Sequence, residues 1–104
     1  MTTNREQVAR WLGWKRKSEV CGYWVNRNGS EVSIKFADDA LFLAAIKDKL
    51  HRICAWFTTT HHGDTRLYRF YVSKQFDSNE YESEWEETEL EAAMNAVLAM
   101  EGKG

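Results

Sequence analysis

A chain of 104 residues, 43 % hydrophobic and 13 % aromatic, has apolar surface enough for one core and too little length for two, so a single domain over 1 to 104 is expected. No apolar run reaches the ~20 residues of a membrane span, and the opening MTTNREQVAR lacks the hydrophobic stretch of a signal peptide; a cytoplasmic protein without membrane contact is the expectation. The net charge of −2 conceals an asymmetry. Residues 1 to 76 carry thirteen Lys and Arg against seven Asp and Glu, a balance of +6, and residues 77 to 104 carry one against nine, a balance of −8.

The first helix is marked by Thr3 and Glu6 at capping-box spacing, by Val8, Trp11 and Leu12 at helical spacing, and by Gly13 where a helix end favours positive φ. A basic cluster, Lys15 to Lys17, follows. EVCGYWVNRNGSEVSIKFA then reads as a hairpin turning at Asn28-Gly29, with Val25 opposite Val32, Tyr23 opposite Ile34 and Cys21 opposite Phe36 on one apolar face. In that register Trp24 and Lys35 share the other face.

Asp38-Asp39 caps a second helix whose buried stripe is Phe42, Leu43, Ile46, Leu50 and Ile53, ending near His51 or Arg52. CAWFTTTHHGDTRLYRFYVSK is a second hairpin, with Gly63-Asp64 suited to a type II′ turn. Across this turn Ala55 faces Val72, Phe57 faces Phe70 and Thr59 faces Tyr68. On the opposite side Trp56 faces Tyr71, Thr58 faces Arg69 and Thr60 faces Leu67. Large apolar groups on both sides predict layers packed on both sides of a five-stranded sheet.

The segment NEYESEWEETELEA alternates with period two from Glu80 to Glu86. A helix would set Glu80/Glu84 and Glu82/Glu86 at repulsive i,i+4 spacing, so an edge strand is expected, with Glu80, Glu82, Glu84 and Glu86 solvated and Tyr81 and Trp85 turned inward. Thr88 and Glu91 form a capping box for a last helix with the stripe Leu90, Ala93, Met94, Val97 and Leu98, stopped by Gly102.

The order is therefore α-β-β-α-β-β-β-α. Leu12-Gly13-Trp14 at a helix end, the Gly22-Tyr23-Trp24 strand, the Asn-Gly turn, the Asp-started helix rich in Ala, the hairpin and the closing YESEWEETELEAAMNAVLAM together resemble the phage ABA-sandwich domain family, from about Arg5 to Met100. The resemblance implies a three-layer α/β/α sandwich around a mostly antiparallel sheet, in a phage or prophage context. It brings no activity that maps onto single residues. The chain departs from the family pattern at Glu89-Leu90, where Ala-Pro is usual, and at Trp85, where a small residue is usual.

No nucleophile, base and orienting group stand at catalytic spacing, no Gly-rich phosphate loop occurs, and Thr58, Thr59 and Thr60 are strand formers, so a non-enzymatic protein without cofactor is expected. His61, His62, Asp64 and His51 do not make a metal site, because adjacent strand histidines point to opposite faces. Cys21 and Cys54, with no C-x-x-C spacing, read as reduced and partly buried. Lys15, Arg16 and Lys17 beside Trp14 are too few, in a chain of pI near 5.9, to make a general nucleic-acid site.

Two surfaces remain. Trp24, Lys35, Trp56, Arg69 and Tyr71 combine flat rings with cations on one sheet face, suited to a protein partner from host or phage or to a small nucleotide-like ligand. Glu80, Glu82, Glu84 and Glu86, spaced about 6.6 Å apart in an extended chain, could imitate a phosphate row and occupy a nucleic-acid-binding protein.

Overall fold

The computed structural model describes residues 4–16, 23–33, 39–74 and 79–102. Its elements are α1 (Asn4–Trp11), β1 (Lys15–Arg16), β2 (Tyr23–Val25), β3 (Glu31–Ser33), α2 (Asp39–Arg52), β4 (Ala55–His62), β5 (Leu67–Lys74), β6 (Glu80–Glu82) and α3 (Glu89–Met100). This is the expected α+β order with the two-residue β1 added. The strands form two antiparallel three-stranded sheets, β1-β2-β3 and β4-β5-β6, rather than one sheet of five.

Local signals set the helix ends. Gly13 has φ +84, and the bonds from its N–H to the Arg10 carbonyl and from Trp14 N–H to the Ala9 carbonyl (2.9 and 3.0 Å) make a Schellman end to α1. The closure swings Trp14 into the core, its ring centroid 5.2 Å from that of Phe42. Thr88 caps α3, its hydroxyl accepting from Glu91 N–H at 3.1 Å. Thr3 and Asp38 lie outside the described residues; Asp39, the other residue expected to cap α2, is its first helical residue and pairs with Arg5 at 2.7 Å.

α3 is the centre of the molecule. It touches α1, α2, β5 and β6, and Ala92, Ala93 and Ala96 are fully buried beside Leu90, Met94, Val97 and Leu98. Alanine at three buried positions lets neighbouring elements approach closely. α2 buries Phe42, Ile46 and Leu50, as its period requires, but Ile53 is 40 % exposed. The helix has ended before it: Ile53 and Cys54 form the turn into β4, with Cys54 at φ +59. Cys54 is accordingly exposed, not partly buried, and Cys21 lies outside the described residues.

Both hairpins adopt another register than the turn signals suggest. In the first, Gly29 N–H bonds to the Asn26 carbonyl and Asn26 N–H to the Ser30 carbonyl, with Gly29 at φ +84. The loop therefore holds three residues, a turn followed by a left-handed glycine, rather than the two of Asn28-Gly29. The Asn26 side chain favours it by accepting from Asn28 N–H and Ser30 N–H. One extra residue moves every side chain of the arm to the other face. Trp24 pairs with Val32 and both are buried, Tyr23 pairs with Ser33, and Val25 pairs with Glu31. The expected Val25/Val32 and Tyr23/Ile34 pairs are not made, and the Cys21/Phe36 pair lies outside the described residues.

The second hairpin slips by two. A four-residue loop, 63–66, replaces the Gly63-Asp64 turn, with Arg66 at φ +55 and its N–H on the His62 carbonyl at 2.8 Å. Phe57 faces Val72, Thr59 faces Phe70, Thr58 faces Tyr71 and Thr60 faces Arg69. A slip of two changes partners and leaves each residue on its expected face.

β6 holds the largest departure. Glu80, Tyr81 and Glu82 pair with Ser73, Val72 and Tyr71, Ser83 N–H bonds to the Phe70 carbonyl, and Tyr68 and Glu86 then exchange both backbone bonds at 2.7 and 2.8 Å. Between the last two pairings Arg69 alone stands opposite Glu84 and Trp85, which is a β-bulge. The alternation breaks there. The four glutamates do not share a solvent face, and Trp85 does not join Tyr81 on the inner one.

Candidate functional site

α2 and α3 lie on the same side of the sheet β4-β5-β6. His51 of α2 meets the Phe57 ring edge-on at 5.1 Å, and Glu89 of α3 accepts from the Thr59 hydroxyl at 2.6 Å. This inner face carries Phe57, Phe70, Val72 and Tyr81 in the core cluster. The outer face has no helix over it among the described residues. Along β4 its side chains Trp56, Thr58, Thr60 and His62 are all exposed, and Trp56 is 70 % exposed, the most of any large hydrophobic residue described.

At the middle of this face stands Arg69. Its guanidinium reaches Glu82 at 3.2 Å, donates through Nε to the Ser83 carbonyl at 3.2 Å, and lies 4.8 Å from the centroid of Trp85. The bulge produces this arrangement: by inserting one residue it turns Trp85 outward over Arg69, with His62 edge-on to its ring at 5.7 Å. Beside it Tyr71 is hydrogen-bonded to Glu80, which holds the phenol above its ordinary pKa. The face thus carries paired charges around the exposed Trp56 ring and the half-buried rings of Tyr71 and Trp85, able to hold a partner by stacking and by charged hydrogen bonds.

Of the residues expected to form the aromatic and cationic site, Trp56, Arg69 and Tyr71 lie on this face. Trp24 does not: it is 3 % exposed in the other sheet, with the Arg16 guanidinium 5.4 Å from its ring. Lys35 lies outside the described residues. Of the acidic row, Glu80 and Glu82 point outward with Tyr71, and Glu84 is exposed in the bulge. Glu86 is turned to the helix side, where it accepts from Asn95 Nδ2 at 2.9 Å. Glu82 and Glu86 thus each have a protein partner.

Trp85 belongs to the face and is not legible as such in the sequence, since the period of two assigns it inward; His62 joins Thr58 and Thr60 there by the alternation of β4. The three imidazoles pack on three different rings: His51 on Phe57, His62 on Trp85, and His61 stacked on Tyr68 at 4.5 Å. Among the described residues no three His, Cys, Asp or Glu side chains gather as a metal site would require, and no helix is long and apolar enough to cross a membrane.

At one end of β4 a cleft of about 340 Å³ is lined by His51, Cys54, Ala55, Trp56 and Phe57. It adjoins the exposed Trp56 and offers room for an apolar side chain or small ligand. No protein-family model, curated protein or solved structure matches the chain.

Proposed function

We propose that the chain is a small phage-encoded binding protein of the ABA-sandwich type, without enzymatic activity, that acts in the host cytoplasm by engaging a host or phage protein. The contact is the outer face of β4-β5-β6, with Trp56, Tyr71, Arg69 and Trp85 at its centre. The observation that carries this reading is Trp56, 70 % exposed on a sheet face that no described helix covers. A large exposed ring is costly in water and is used at interfaces, where aromatic residues anchor binding. The test is affinity capture from host lysate followed by titration of the purified captured protein. Trp56→Ala and Tyr71→Ala should each weaken binding at least tenfold with the fold intact; unchanged affinity in both variants would refute this assignment.

The alternative, an acidic imitation of phosphates, draws support from Glu80, Glu82 and Glu84, which remain exposed. It requires the captured protein to bind nucleic acid and the affinity to fall with salt and with Glu82→Gln/Glu84→Gln.

A further inference from the structure

The two edges of the sheet β4-β5-β6 are built differently. β6 is three residues long, carries two glutamates and runs into a bulge, three devices that discourage another strand from pairing with it. β4 has none of them. It is eight residues, AWFTTTHH, without proline, bulge, Lys, Arg, Asp or Glu, and among the described residues no strand pairs with its outer side.

The ladder shows which backbone groups lie on that open side. Tyr68 exchanges both its backbone bonds with Glu86, and Phe70 accepts from Ser83, so these residues direct their main-chain groups toward β6. Leu67, Arg69, Tyr71 and Ser73 consequently bond to β4, through His62, Thr60, Thr58 and Trp56. The alternate residues Ala55, Phe57, Thr59 and His61 are left with N–H and C=O aimed away from the sheet.

We propose that this edge is a self-association site: β4 pairs antiparallel with β4 of a second copy about a two-fold axis, forming one six-stranded sheet ordered β6-β5-β4-β4-β5-β6. Charge and closure select a second copy as the occupant. An antiparallel copy of AWFTTTHH brings no acidic or basic side chains of like sign together across the junction, whereas β6 paired with itself would oppose glutamates. The hydroxyl stripe Thr58/Thr60 meets itself, and cross-strand threonine pairs are favourable. A foreign peptide would leave its own outer edge exposed. A second copy leaves both ends of the enlarged sheet at β6, the guarded edge, so assembly stops at two.

The test is sedimentation and native mass spectrometry of the wild type and of the doubly substituted variants Thr58→Lys/Thr60→Lys and Thr58→Glu/Thr60→Glu. Both side chains are exposed, so the protomer fold is retained. The wild type should be a dimer at micromolar concentration, each variant alone a monomer, and an equimolar mixture of the two variants a heterodimer. A monomeric wild type, a dimer indifferent to both substitutions, or a mixture that stays monomeric would each overturn the proposal. Hydrogen exchange on the unsubstituted protein is a second readout: diluting through the dimer range should speed exchange at Phe57, Thr59 and His61 by about tenfold or more and leave Thr58 and Thr60 unchanged. Dilution without that alternation would equally overturn it.

Discussion

Removing one oxygen from Ser83 tests whether the bulge is built as described. Ser83 is 4 % exposed; its hydroxyl accepts from the backbone N–H of Phe70 at 2.9 Å and donates to the Glu84 carbonyl at 2.9 Å. Phe70 is fully buried, so in Ser83→Ala its N–H has neither this partner nor water. A buried donor left unsatisfied costs about 1–3 kcal/mol, and the variant should lose about 2 kcal/mol. At roughly 4–8 °C per kcal/mol for a domain of this size, the midpoint should fall by roughly 8–16 °C. Circular dichroism melting measures this, with Ser30→Ala, an exposed hydroxyl beside the first hairpin loop, as a control expected within about 0.5 kcal/mol of wild type. Amide exchange at Phe70 should accelerate more than at Val72. A midpoint within about 2 °C of wild type, or an unaltered Phe70 amide, would show that the hydroxyl does not hold the bulge.

Ile46→Ala should cost about 2–5 kcal/mol in urea unfolding, because Ile46 is fully buried on the core stripe of α2; unchanged stability would mean that stripe is not packed as described. Glu89 is held below its ordinary carboxylate pKa: burial pushes it upward, but the Thr59 hydroxyl and Lys47, whose Nζ lies at 2.9 Å, outweigh that push. Its folded value lies below its unfolded one, so its contribution is complete above the unfolded value near about 4.3 and disappears as pH falls through the folded value. Glu89→Gln should therefore flatten the loss of stability below about pH 5, and an unchanged acid profile would contradict this role. Arg66→Gly should be neutral to stabilising by up to about 1 kcal/mol in thermal melts, since φ +55 strains any side chain with a Cβ. A clear destabilisation would show that the arginine side chain holds the loop.

The fold was legible where a signal is local. Gly13, the Thr88 cap, and the apolar periods of α2 as far as Leu50 and of α3 each act within a turn or two of chain, and each was realised. Registers were not, because the choice between competing turns rests on small energies. Asn28-Gly29 suits a two-residue loop, yet Asn26, one side chain earlier, satisfies two backbone N–H groups in the three-residue alternative. The alternative also buries Trp24 against Val32 where the other register would set Trp24 outside. Burial of one indole is worth more than the preference between turn types.

The candidate site shows the same hierarchy more sharply. The stretch from Glu80 to Glu86 is a perfect alternation, and a period of two cannot reveal where a bulge will fall. What places it is tertiary: Ser83 fills a closed site behind Phe70, and Arg69 on the neighbouring strand can hold both Glu82 and the Trp85 ring only if the chain gains a residue between them. The insertion exchanges the two sides that follow, sending Glu86 to Asn95 and Trp85 to the open face. The charge density that makes this segment conspicuous is thus divided between three uses: a guarded sheet edge, an ion pair that fixes Arg69, and an inward contact to α3. The aromatic surface left between them arises from that division, since without the bulge Trp85 would lie under the helices and Arg69 would lose the ring on which it rests.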